Sequence, residues 1–228
     1  MKLRNPFKGF TKFEWALWIT SLAAITAAHF GVLSDDWLSL AASLVGVTSL
    51  IFAARGDVVA PVLFIVFALI YAAVSYLFGY YGEMIIYLAM QLPVSVATLI
   101  MWHKNKNAGT SQVKTGKLTL KTFIIMCVLT AAVTVPFYFL LDFFDTPNII
   151  PSTISVSTSF GALFLMAMRI PQYALIFVLN DIVMIVLWSL ALSGDIGYIS
   201  LVVCFSIFLV NDIYTFISWI KRQREAAS

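Results

Sequence analysis

The sequence is short of charge. Asp, Glu, Lys and Arg together make up 11% of its 228 residues, whereas a soluble domain keeps about 25% to hold its surface in water. Hydrophobic residues reach 61%, so a water-facing shell is excluded and lipid is the implied solvent. Cysteine is nearly absent: Cys127 and Cys204 both lie in apolar runs and read as small packed residues in separate helices. Only two histidines occur, His29 and His103, both near the edges of apolar runs. There is no His-Glu-x-x-His, no Gly-x-Ser-x-Gly and no nucleotide-binding glycine loop. No catalytic residue, metal site or cofactor is therefore expected. Nor is there a basic stripe interleaved with aromatics, which argues against nucleic acid as a partner.

Long apolar runs are what the chain does have. A helix needs about 20 apolar residues to cross the hydrocarbon core. Eight runs approach that length: Trp15–Leu33, Trp37–Ala54, Val58–Phe78, Glu83–Trp102, Leu120–Leu141, Ser152–Met168, Pro171–Leu192 and Ile196–Ile220. The first follows Lys2, Arg4, Lys8 and Lys12 but exceeds a signal-peptide core, so a retained helix is expected.

When the connecting segments are assigned alternately to two sides, all 14 Lys and Arg residues fall on one side. The other receives Asp35, Asp36, Asp142, Asp145 and Asp195 and no base. Dropping a span would scramble this partition. The positive-inside rule then places both termini in the cytoplasm of a multi-pass protein of the cell membrane. The one sizeable loop, His103–Thr119, is polar and Lys-rich and reads as a cytoplasmic linker.

The two halves echo each other. Gly46 answers Gly161, Arg55 answers Arg169, Gly79 and Gly82 answer Gly194 and Gly197, and Trp102 answers Trp219. Equivalent spans are four apart, an even number, so the two three-helix repeats cross in the same direction. The expected fold is an all-α membrane protein of eight transmembrane helices in a 1+3+1+3 layout. Residues 1–34 hold the tail and an extra helix, and 35–103 the first repeat. Residues 104–151 hold the loop and linker helix, and 152–228 the second repeat. Transporters built from parallel repeats hold their solute near the midplane between the bundles.

Polar side chains at that depth are costly and therefore informative, an Asp at a helix centre costing about 2.5–3.5 kcal/mol. Counting residues from the span ends at about 1.5 Å each puts Gln91, Asn180, Asp181, Asn211 and Asp212 near the midplane. Neither Asp has a base within the spans. Interhelical hydrogen bonding is the bland alternative for each. Tyr173 and Tyr214 are the aromatic candidates for stacking on a planar solute. Trp15, Trp37, Trp102 and Trp219 sit near span ends and fit an interfacial belt. Pro93, inside the fourth span beside Gln91, predicts a kink.

Several stretches resemble the PnuC (nicotinamide riboside) transporters. They are Gln172-Tyr173 through Asn180, Asn211-Asp212-Ile213-Tyr214 with Trp219-Ile220-Lys221, Gly79-Tyr80-Tyr81-Gly82-Glu83, Leu92-Pro93 and Met101-Trp102. The resemblance runs from about Trp37 to Arg224. It implies a SWEET-like fold with the linker helix retained, a homotrimer, and facilitated diffusion of a vitamin-related nucleoside trapped by downstream phosphorylation. The family's Trp-x-x-Trp-x-x-x-Asn pattern reads Tyr173-x-x-Ile176-x-x-x-Asn180 here, and Ser95 stands where a Gln is expected. The expected solute site is Gln91, Ser95, Tyr173, Asn180, Asp181, Asn211 and Tyr214. Nicotinamide riboside is the expected solute, with thiamine or a deoxynucleoside as the alternative in the same family. A membrane scaffold that carries nothing is the alternative of a different class.

Overall fold

The computed structural model describes residues 7, 9–31, 37–77, 81–146, 148–192 and 199–226. Eight helices form among them: α1 Lys12–Gly31, α2 Trp37–Ala54, α3 Val59–Leu77, α4 Tyr81–Lys104, α5 Leu120–Phe143, α6 Ile149–Ala167, α7 Gln172–Ala191 and α8 Ile199–Glu225. No β-strand occurs among the described residues. Seven of the helices, α2 to α8, are long and apolar enough to cross a membrane. The run expected as the first span falls in α1, which is long enough but too polar to meet that standard. Asp35, Asp36, Asp195, Gly79, Gly194 and Gly197, used above for topology and repeat, lie outside the described residues.

Local chemistry sets the ends. Thr11 and Glu14 form a capping box: Glu14 N–H donates to Thr11 Oγ1 at 3.1 Å and Thr11 N–H to Glu14 Oε2 at 2.7 Å. Glu14 also takes Arg55 Nη1 at 3.1 Å, which fastens the start of α1 to the end of α2. Thr119 caps α5 by accepting Thr122 N–H at 3.2 Å. Within α4 the backbone widens into a π-turn over Tyr87–Gln91, where Leu92 N–H reaches back to Tyr87 O. Pro93 follows at once. A proline lacks the N–H that would continue the ladder, and a π-bulge is one way a helix absorbs that loss.

The packing runs through two sets of three helices, called triplets below. α2 packs on α3 and α3 on α4; α6 packs on α7 and α7 on α8. The triplets meet where α2 touches α8 and where α4 touches α6. α1 lies against α2 and α8, and α5 lies against α6 and, more lightly, α4. The largest core cluster sits where the triplets meet, around Phe52, Trp102, Leu165, Tyr173 and Trp219. Outward faces are apolar: α5 alone exposes Leu120, Phe123, Ile124, Val128, Val135, Phe139 and Phe143. α1 is turned the same way, with Phe13, Ile19 and Phe30 outside and Glu14, Ser21 and His29 buried.

Candidate functional site

Polar groups within the spans gather in the second triplet. α6 presents Ser155, Thr158 and Ser159, spaced along one helical face, and all three donate to Asn180 Oδ1 on α7, at 3.2, 2.8 and 3.1 Å. The serine-rich composition of this span was visible in the sequence; its face was not. Next to Asn180 stands Asp181 on α7, and Asp212 follows Asn211 on α8. Both aspartates are buried, at 3% and 2% exposure. Asp181 Oδ2 and Asp212 Oδ1 have no hydrogen-bond partner. The ion pairs among the described residues, Arg55–Glu14 and Lys221–Glu225, do not involve them.

Two of the expected site residues turn toward α1. Asn211 Nδ2 donates to Ser21 Oγ at 3.0 Å and to Ile207 O at 2.9 Å, leaving Asn211 Oδ1 without a partner. The Tyr214 ring packs 5.1 Å from Phe13. In the first triplet, Gln91 is buried at the end of the π-turn, and Ser95 is buried with Oγ lacking a partner. No hydrogen bond among the described residues joins Gln91 or Ser95 to Asn180 or Asn211. An aromatic group that the sequence did not single out lies in the same triplet: Tyr71 and Tyr87 with ring centroids 4.4 Å apart, and Phe67 5.5 Å from Tyr71. Phe67 and Phe208 close over Gly46, within van der Waals reach of its α-carbon face.

Tyr173 belongs to a different setting, at the Lys/Arg-rich end. Its hydroxyl donates to Ala53 O at 3.2 Å, and its ring stands edge-on to Trp219 at 5.2 Å. Trp219 Nε1 donates to the same Ala53 O at 2.7 Å, while Trp102 Nε1 donates to Met166 O at 2.8 Å. Both tryptophans are 0% exposed. This corrects the interfacial-belt reading for Trp102 and Trp219, whose indoles point inward to carbonyls; Trp15 and Trp37 remain exposed, as a belt requires.

The segment between α4 and α5 is an ordered strap rather than a plain linker. Val113 N–H donates to Gly56 O at 2.9 Å and Gly116 N–H to Arg169 O at 2.8 Å. Arg222 Nη2 donates to Val113 O at 2.6 Å, Gln223 Nε2 to Gly116 O at 3.0 Å and Arg169 Nη1 to Lys114 O at 3.3 Å. Ser111 hydrogen-bonds the Asp57 carboxylate. Burial holds the Arg169 guanidinium below its ordinary pKa.

Comparison with known proteins places this arrangement. The family described as nicotinamide mononucleotide transporter matches residues 36–221. A nicotinamide riboside transporter, PnuC, from Neisseria mucosa is 27% identical over 224 residues, covering 96% of this chain and 84% of that protein. The crystal structure of the vitamin B3 transporter PnuC superposes with a TM-score of 0.81 at 25% identity, covering 96% of this chain and 95% of that one.

Proposed function

As the chain belongs to the PnuC family of nicotinamide mononucleotide transporters, we propose that it is a membrane carrier for nicotinamide riboside working by facilitated diffusion. The observation that carries the choice of solute is the buried Asp181–Asp212 pair, which has no Lys or Arg partner among the described residues. A phosphate-bearing mononucleotide needs charge-assisted donors such as Arg, and the bases of this chain cluster instead at the helix ends. The riboside carries a pyridinium cation and no phosphate, which suits a carboxyl pair with free oxygens. Its amide suits Gln91, Ser95 and Asn180, which have the donors and acceptors to match it. In this reading Asn211 and Tyr214 act through α1, and Tyr173 closes the Lys/Arg-rich end beneath the solute.

The layout goes with the function. α1 buries polar residues and exposes apolar ones, as a helix does when lipid surrounds it, so we count it as an eighth span in a 1+3+1+3 arrangement. The Lys/Arg-rich end faces the cytoplasm of a cell membrane, with phosphorylation there trapping the solute. The assembly is a homotrimer, as the family resemblance implies. Thermal unfolding of the purified protein tests the solute. A ligand at 100 times its Kd stabilises by about 2.7 kcal/mol, so nicotinamide riboside should raise the Tm while the mononucleotide leaves it unmoved. Equal stabilisation by both would overturn the choice. No shift with the riboside, thiamine or any nucleoside would favour the scaffold.

A further inference from the structure

The two turns that follow α2 and α6 are the same structure written twice. Gly56 N–H donates to Ala53 O at 2.8 Å and Asp57 N–H to Phe52 O at 3.0 Å. In the second triplet Arg169 N–H donates to Met166 O at 2.9 Å and Ile170 N–H to Leu165 O at 3.0 Å. Gly56 and Arg169 both have left-handed backbone, with φ of 63° and 61°. Gly56, not Arg55, is thus the structural mate of Arg169. The carbonyls of the mated Ala53 and Met166 are the ones that receive the indoles. Trp219, from the end of the second triplet, donates into the first, and Trp102, from the end of the first, donates into the second. The strap joins the same two turns, through the carbonyls of Gly56 and Arg169.

We propose that Trp102, Trp219 and the strap form the gate at the Lys/Arg-rich end, and that solute passes there only when both indole–carbonyl bonds break. This rests on the carrier reading above. Because the bonds cross one seam in opposite directions, the triplets cannot separate at this end while either holds. The two bonds add to the apolar packing of Phe52, Leu165 and Tyr173 at this seam. Hydrogen bonds that water replaces on opening favour the closed end by up to about tenfold each, and the polar strap supplies that water-facing side. At Gly116 the approach is close enough to demand glycine, since a Cβ there would lie 2.6 Å from the backbone Met168 O. Below the seam, Tyr173 fills the space between α7 and α2 at 1% exposure, so the end is sealed as described.

Hydrogen–deuterium exchange of the full chain in lipid nanodiscs, read at the Val113 and Gly116 amides, tests the gate. Trp102→Phe and Trp219→Phe each keep an aromatic ring and remove the donor, and each should speed exchange at both amides about tenfold, the effect of one lost hydrogen bond to a buried acceptor. Gly116→Ala should do the same by lifting the strap from Met168. Gln223→Met, at a half-buried site where folding is safe, should give a smaller increase of about threefold. Unchanged exchange in variants that melt like the wild type, or a response in only one of the two Trp variants, would overturn the proposal. Strap exchange rising as expected in a protein that takes up no nicotinamide riboside would sink that solute and leave the latch standing.

Discussion

The two triplets are most alike at the Lys/Arg-rich end and least alike within the helices. At the end, each supplies one left-handed turn, one accepting carbonyl and one indole donor. Farther in, the second triplet holds the Asn180 hydroxyl cluster and the carboxyl pair, whereas the first holds Gln91, the unpartnered Ser95 and the Phe67–Tyr71–Tyr87 rings. Closing a seam between two similar bodies is a symmetric task, and matching hardware serves it. A small asymmetric solute presents different groups to its two sides, so lining that must recognise it is free to diverge.

The strongest attack on this contrast is Asn180→Leu. It removes the shared acceptor of the half-buried Ser155, Thr158 and Ser159, and one lost hydrogen bond costs about 0.5–1.5 kcal/mol. Uptake into proteoliposomes should fall below about 1% of wild type, beyond what the loss of Tm explains; uptake that merely tracks stability would return Asn180 to the role of interhelical glue. Next come Asp181→Asn and Asp212→Asn. Each should weaken uptake of nicotinamide riboside about tenfold, equivalent to about 1.4 kcal/mol, while sparing a neutral nucleoside. Since both carboxyls are proposed to face one cation, the double variant should be little worse than either single; additive losses would mean that the carboxyls act separately. The smallest effect is expected in the first triplet. Ser95→Ala deletes a buried hydroxyl that has no partner, so Tm should hold or rise slightly while affinity for the riboside drops about threefold, within the range of one hydrogen bond. A marked fall in Tm would place Ser95 in the fabric of the helix bundle and blur the contrast.

Much of the scaffold is legible in the sequence, because the hydrocarbon core demands runs of fixed length. Trp37–Ala54 was read with the bounds it has, and Leu120 was read as the start of the linker helix. The sequence pairs Arg55 with Arg169, whereas the turns pair Gly56 with it, since sequence aligns side chains and the structure aligns hydrogen-bonded turns. What stayed hidden was direction. In a chain whose outside is as apolar as its inside, hydrophobic pattern does not reveal which way a helix faces. Trp102 and Trp219 therefore passed for belt residues, and the contacts of Asn211 and Tyr214 with α1 were not legible. The strap was hidden for another reason. Its Lys- and Gly-rich composition has no local preference for order, and its conformation comes from two turns distant in sequence.

α1 takes the place beside α2 and α8 that α5 takes beside α6 and α4. By these contacts each triplet has one flanking helix, and the sets α1–α4 and α5–α8 each end in the tryptophan that the other receives. Contacts exchanged in that manner are self-complementary in the sense of a two-fold dimer. A protein of half this length would carry both the donor and the acceptor of the latch, and would have only to meet its own twin to close it.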